Sequence, residues 1–290
     1  MLMNSYDIFR GVSSIEDYVA VIKEIYRSFQ TKKFFLWFRG EKDYQEPLLP
    51  GIYRITCEGK KVEYSNKIEN TFLQNFRLKT RIVLDNPPIR ENIDEWLFLA
   101  QHYQLPTRLL DWTENALVAL YFASEKDAKE QPVVWLLNPI LLNYLSYNDY
   151  INNNGVLGKL NKIDEFYEFP LTWPEGSIGH INIKAAWTHD KGGTEIPVAV
   201  IPPYVDSRLF NQRSCFTIHG KDQRSLIKII SDKKFPISEK LIWKIEISRE
   251  YREEINENLK FLGISRSSIF SDLQNLTSDI KDTYIRLFIK

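Results

Sequence analysis

The sequence predicts a single α+β domain, with a mixed or antiparallel sheet at its core and helices flanking it. Segments with apolar residues at helical spacing fill much of residues 14–124, whereas short apolar runs of strand length dominate from Pro132 onward. No repeat, low-complexity tract or linker divides the 290 residues. Hydrophobic residues make up 43% and charged residues 26%, enough apolar surface for one core. Residues 1–30 are expected to be an N-terminal helix, 31–275 the main body, and 276–290 a helical end packed on that body.

Each element has its own signature. Residues 14–29 place Tyr18, Val21, Ile22, Ile25, Tyr26 and Phe29 on one helical face, with Ser13 and Glu16 offering a capping box. The aromatic run 33–38 reads as a buried strand with Arg39 and Gly40 at its end. A loop holding Pro47, Pro50 and Gly51 leads to a helix over 62–81, where Ile68, Phe72 and Phe76 recur before Pro87 and Pro88 stop it. Residues 93–103 form a third helix through Trp96, Leu97, Ala100 and Tyr103, ended by Leu105-Pro106. A fourth starts at Asp111-Trp112-Thr113-Glu114, with Asp111 as N-cap, and buries Ala116, Leu117, Leu120, Phe122 and Ala123. Strands follow at 133–137 and 197–201, around a weakly patterned stretch, 141–193. A short helix running to Gln212 precedes strands at 215–219 and 241–247, and the chain is helical from 249 onward.

Composition excludes several classes of function. Lys+Arg and Asp+Glu both number 38, so any nucleic-acid site must be a local patch and not the whole-protein field. Two cysteines and four histidines cannot supply a closed zinc site or a disulfide framework, and no metal is expected. The first residues lack a signal peptide's basic and apolar regions, and no segment approaches the roughly 20 apolar residues that span a bilayer. A cytoplasmic protein with no membrane partner is the expectation.

Among candidate constellations, Cys215 and His219 lie four residues apart on a strand, about 13 Å, too far for a nucleophile and its base. His102, His180 and His189 stand at no metal-ligand spacing, and Arg77, Lys79 and Arg81 read as a solvated basic face or a local nucleic-acid patch. Three pieces carry more chemistry. Arg39, closing an apolar strand, needs an anion such as a pyrophosphate, or else an internal carboxylate. Gln101-His-Tyr-Gln-Leu-Pro-Thr-Arg-Leu-Leu-Asp-Trp-Thr113 holds more polar side chains than a turn requires, although Asp111 as a cap and Arg108 as its ion-pair partner is the simpler reading. Arg208 to Ile218 is a polar hinge before a strand, which returns Gln212 to the same cleft or leaves it as a surface amide. Arg39, Asp111 and Thr113 are expected to converge. The helix start near Asp111 should aim its amides at their cleft, with Trp112 lining it and Phe122 in the core.

Phe38-Arg39-Gly40, the segment from Gln101 to Thr113 with Ala116, Ala119, Tyr121, Phe122 and Ala123 after it, Arg208 to Ile218, and Gly263-Ile264 with Ile269 to Leu273 together resemble the FRG domain family, named for its Phe-Arg-Gly motif. The resemblance runs from about Phe38 to Leu273. Glu41, Gln104 and Ser214 depart from the pattern, standing where glutamine, glycine and glycine are expected.

An arginine on a first strand, a Ser/Thr-containing turn before an Ala-and-Phe helix, and a polar Glu or Gln before a later strand are also similar to the three-part layout of mono-ADP-ribosyltransferases. That likeness implies an ADP-ribosyltransferase-like fold and NAD as substrate. Arg39, Gly40, Gln101, His102, Arg108, Trp112 and Thr113 would bind NAD: Arg39 at its phosphates, Trp112 and Thr113 along the nicotinamide ribose. Gln212 would stand in for the late acid, and Asp111 would supply the negative charge that Gln212 lacks. The acceptor would be RNA or protein, in a toxin or phage-defence effector with a neutralising partner protein. NAD hydrolysis and non-enzymatic nucleotide or nucleic-acid binding stay open beside transfer.

Overall fold

A computed structural model describes residues 6–29, 35–42, 48–125, 131–154, 186, 193–202, 207–232, 240–270, 272–285 and 288. Strand β1 (Asp7–Val12) and helix α1 (Ile15–Ser28) precede β2 (Trp37–Glu41). A small ribbon, β3 (Thr56–Cys57) and β4 (Lys60–Lys61), leads to α2 (Asn66–Thr80) and α3 (Ile93–His102). Then come β5 (Leu109–Thr113), α4 (Ala116–Ser124), β6 (Val133–Leu137), α5 (Pro139–Asn154), β7 (Val198–Val200), α6 (Ser207–Asn211), β8 (Ser214–Ile218), α7 (Leu226–Asp232) and β9 (Ile242–Ile247). Helices α8 (Arg252–Phe261), α9 (Arg266–Ile269) and α10 (Leu273–Ile285) follow.

Seven strands form one sheet in the order β1-β9-β6-β2-β5-β8-β7. Neighbours are antiparallel except for β1 beside β9, so the sheet is mixed, as the α+β reading expects. Alternate residues of each strand feed opposite faces. On one face Trp37, Trp135, Leu110 and Trp112 pack with Phe98 of α3 and Leu141 and Leu145 of α5. On the other, Phe38, Val134 and Leu136 pack with Tyr18 and Ile22 of α1, Ala119 and Leu120 of α4, and Ile255 of α8. Among the described residues no helix is long and apolar enough to cross a membrane.

Several local expectations need correction. The first helix is capped one residue later than expected: Ser14 Oγ accepts from the Asp17 N–H, while Ser13 donates to the Asp17 carboxylate. The segment 1–30 is not helix alone, because β1 precedes it. That strand pairs with β9 near the other end of the sequence, Asp7 beside Trp243, and no local turn signals such a partner. Arg39 and Gly40 do not end their strand, which continues to Glu41 because β6 pairs with it from Trp37↔Leu137 through Glu41↔Val133.

The weakly patterned stretch contains α5, whose stripe is blurred by buried polar residues. Asn143 exchanges two hydrogen bonds with the Ala199 backbone and Ser146 Oγ donates to the Pro197 carbonyl, which covers the sheet edge at β7. His180 and His189 lie outside the described residues.

Candidate functional site

The site begins with a gap in the sheet. Among the described residues β2 and β5 share one pair, Phe38↔Thr113, whereas β5 and β8 are paired over all five residues from Leu109↔Ile218 to Thr113↔Ser214. Beyond Phe38 the strands part, and a cavity of about 480 Å³ opens there, a size suited to a small-molecule ligand. Arg39, Asp111, Thr113 and Gln212 line it together with Gln101, Phe122, Arg208 and Phe270. The expected convergence therefore occurs.

It occurs by another route than a helix start. Residues 109–113 are a strand, so Asp111 is not an N-cap; Asn115 fills that place, accepting from the Leu117 and Val118 N–H groups. The start of α4 does not line the cleft, and only Phe122 reaches it from that helix. Its amides are aimed elsewhere because the strand carries the chain past the cavity before α4 begins.

Arg39 bridges the gap. Its Nε donates to Glu41 Oε1 at 2.8 Å, and its Nη1 donates to the Asp111 carbonyl at 2.7 Å, with the Asp111 carboxylate 3.9 Å away. The Asp111 carboxylate accepts from Gln101 Nε2 at 2.8 Å, and Gln101 Oε1 accepts from Thr107 Oγ1 at 2.6 Å, so α3 fixes its orientation. On the far wall Thr113 Oγ1 donates to the Gln212 carbonyl at 2.6 Å and accepts from the Asn115 N–H. That hydroxyl ties β5 to the entry of β8. Gln212 Oε1 accepts from Ser214 Oγ at 3.3 Å, and its buried Nε2 has no partner among the described residues.

Gly40 lines the cleft too, but its need for glycine is one of packing. A Cβ there would lie 1.9 Å from the Ala119 carbonyl oxygen and 2.7 Å from the Ala123 nitrogen of α4. Of the two expected aromatic roles, that of Phe122 changes, and Trp112 serves both cleft and core. Trp112 borders the cleft, yet it is 3% exposed and its indole donates to Thr217 Oγ1 within the core. Phe122 is half-buried and meets Phe270 edge-on, ring centres 5.9 Å apart, at the cleft wall.

Two expected ligand residues stand elsewhere. Arg108 is fully buried, with Nε donating to both Glu69 oxygens at 3.0 and 3.1 Å, Nη1 to the Ala186 carbonyl and Nη2 to the Tyr64 hydroxyl. Burial alone would ease its deprotonation, but the Glu69 pairing outweighs that and raises its pKa. It is an internal ion pair, with Glu69 of α2 where Asp111 was expected. His102 packs its ring on Tyr103 and does not line the cleft, since the residue after Gln101 is rotated by about 100° around the helix.

Near this site, burial pushes the Cys215 thiol well up, and burial likewise raises the Glu114 carboxyl, against the nearby Arg213 charge.

A family model described as FRG domain matches residues 35–132. Residues 35–132 are thus similar to the FRG domain. No curated protein and no solved structure matches the chain. The matched residues span β2 through α4, the Arg39 and Asp111 walls of the cleft; the third and closing blocks, with Gln212 and Phe270, lie beyond it.

The departures from the expected pattern at Glu41, Gln104 and Ser214 find local explanations. Glu41 pairs with Arg39 and also accepts from Trp135 Nε1 at 3.0 Å. Gln104 follows α3 at φ 62°, where its N–H donates to the Gln101 carbonyl and that of Leu105 to the Ala100 carbonyl. This left-handed helix end is where glycine is favoured. Ser214 is extended and paired with Thr113, while the left-handed residue of that turn is Arg213 at φ 44°, so position 214 does not need glycine. Sequence reasoning missed Arg54, Gln104, Arg208 and Phe270 as lining residues. Arg208 and Phe270 fell inside recognised blocks, a usable signal; Arg54 had none.

Proposed function

We propose that this chain is an ADP-ribosyltransferase-like effector whose cleft holds NAD and whose acceptor is a macromolecule, RNA or protein. One observation carries the reading: three adjacent strands, β2, β5 and β8, bring Arg39, Thr113 and Gln212 to a single cleft, although the three are far apart in sequence. The lining fits such a substrate. It combines arginines for phosphate, amides and hydroxyls for ribose, and the Phe122 and Phe270 rings for a flat base.

NAD supplies an N-glycosidic bond whose cleavage releases nicotinamide and exposes the anomeric carbon of ADP-ribose to a nucleophile. Gln212 lines the cleft, and its buried Nε2, lacking a partner among the described residues, would reach a ribose hydroxyl by a turn of the side chain. Thr113 holds the Gln212 backbone in place. Asp111, fixed by Gln101, supplies the negative charge that favours developing positive charge on the ribose. Arg39 braces the gap, its Nε donating to Glu41 and its Nη1 to the Asp111 carbonyl.

Incubation with labelled NAD and cell extract tests the reading. Label in RNA or protein is expected. Free ADP-ribose alone would assign hydrolysis, and unchanged NAD that still binds would leave a binding module, the reading favoured by a late glutamine that carries no charge. Gln212→Ala should lower turnover about a hundredfold, with little change in NAD affinity, if its donor acts as charge develops.

A further inference from the structure

The charge balance of the cleft carries one more assignment, resting on its reading as a nucleotide site. Arg39 is paired with Glu41 at 2.8 Å and lies 3.9 Å from the Asp111 carboxylate. One guanidinium against two carboxylates gives that corner no surplus positive charge. Arg39 therefore braces Asp111, and its single uncommitted nitrogen cannot neutralise a phosphate group as well.

Arg208, reaching the cleft from α6, is differently placed. Its guanidinium carbon lies over the Phe270 ring, 4.8 Å from the ring centre. Cation–π attraction positions the cation without using its N–H donors. Among the described residues Arg208 has no ion-pair partner within 4 Å. The acid that feels it, Asp272, accepts from the Asn275 N–H and side-chain amide. The next helical turn carries Gln212, which lines the same cavity and whose buried Nε2 has no partner among the described residues.

We infer that Arg208, held over Phe270, is the phosphate anchor of this cleft, so that its ligand is a nucleotide bearing a phosphate or pyrophosphate group. Arg39 is then a positioning residue for Asp111 and Arg208 the binding arginine, with Arg54 a third arginine in the lining. Lys in place of Arg208 keeps the charge and loses part of the hold on the ring; Gln loses the charge.

Calorimetric titration of the full chain with NAD, ADP and adenosine tests this, because ADP and adenosine differ only in the phosphates. Wild type should bind ADP at least tenfold more tightly than adenosine. Arg208→Gln should bind ADP roughly ten- to hundredfold more weakly, the usual worth of a charged hydrogen bond, with adenosine affinity unchanged. Arg208→Lys should fall between them. A wild type that does not prefer ADP to adenosine, or an Arg208→Gln protein that keeps the preference, overturns the anchor. Should ADP binding depend on Arg208 while NAD fails to bind, the anchor stands and the NAD reading falls; NAD binding that ignores Arg208→Gln does the reverse.

Discussion

Gly40 shows how a motif residue can be required without touching a ligand. Its backbone is not in the left-handed region; what forbids a side chain is the Ala119 carbonyl of α4, 1.9 Å from where a Cβ would sit. The obstacle is helix backbone, not a side chain that can swing away, so α4 would have to lift from β2. Gly40→Ala should destabilise the protein by about 3 kcal/mol, the upper end of ordinary overpacking. Denaturant titration measures this, and an unchanged midpoint would show that α4 moves without cost. The same local scale separates two arginines: Arg39 keeps one edge toward a cavity, whereas Arg108 is enclosed by Glu69, Tyr64 and Ala186. Phe122, half-buried at the cleft wall, should cost less to truncate than the about 3–5 kcal/mol of a fully buried phenylalanine.

Among the elements, the end of α3 sets the floor of the cleft. Its last turn presents Gln101 to Asp111, and the chain then reverses through Gln104 in a left-handed conformation, costing a non-glycine residue about 1–2 kcal/mol. Glycine would remove that strain but give the unfolded chain more freedom, which offsets about 0.4–1 kcal/mol. Gln104→Gly should thus stabilise the protein by up to about 1 kcal/mol, a rise of roughly 2–4 °C in melting temperature for a domain of this size class. A fall in melting temperature would mean that the Gln104 side chain, which lines the cleft, contributes more than its backbone costs. The strand β5 makes the complementary point. Asp111-Trp-Thr-Glu114 has the composition of a helix start, yet five pairs with β8 hold it extended and pass the cap to Asn115.

For the molecule as a whole, acid should act through His219. It is fully buried, its Nε2 lies 3.1 Å from the Arg224 carbonyl, and the Tyr53 ring is 5.9 Å away. Burial depresses its pKa to about 3; the bond to the Arg224 carbonyl and then the Asp222 charge oppose the shift, and Arg108 adds to it. The unfolded chain takes up this proton near pH 6.5 and the folded chain does not. Stability is thus complete above about 6.5 and declines by about 1.4 kcal/mol per pH unit toward 3. Asp17, Asp222, Asp272 and Asp279 have lowered pKa values, so their contributions persist until the pH falls below their ordinary range near 3.8. Urea unfolding at pH 7.5 and pH 5 should therefore differ by about 2 kcal/mol from His219 alone. His219→Phe should abolish that part of the difference; a drop of equal size in the variant would place it in other groups.

The α+β class, the central strands at 133–137, 215–219 and 241–247 within a residue or so, and the three blocks that meet at the cleft could all be read from the residues alone. These were legible because apolar periodicity and dense polar motifs are properties of neighbouring residues. Which side chains face the cavity depends instead on how the elements pack. Whether Arg39 or Arg108 meets a ligand depends on the elements that close over each, and Glu69, Tyr64 and Ala186 come to Arg108 from distant parts of the chain. Phe122 left its expected core place for a similar reason, since the α4 packing at Gly40 brings it to the wall, where Trp112 also borders the cleft while its ring stays in the core. Strand β1 and the extended state of β5 were hidden because their pairing partners are remote in sequence. Local residue patterns carry no record of those partners, and the free energy of closing the sheet overrides the local preference.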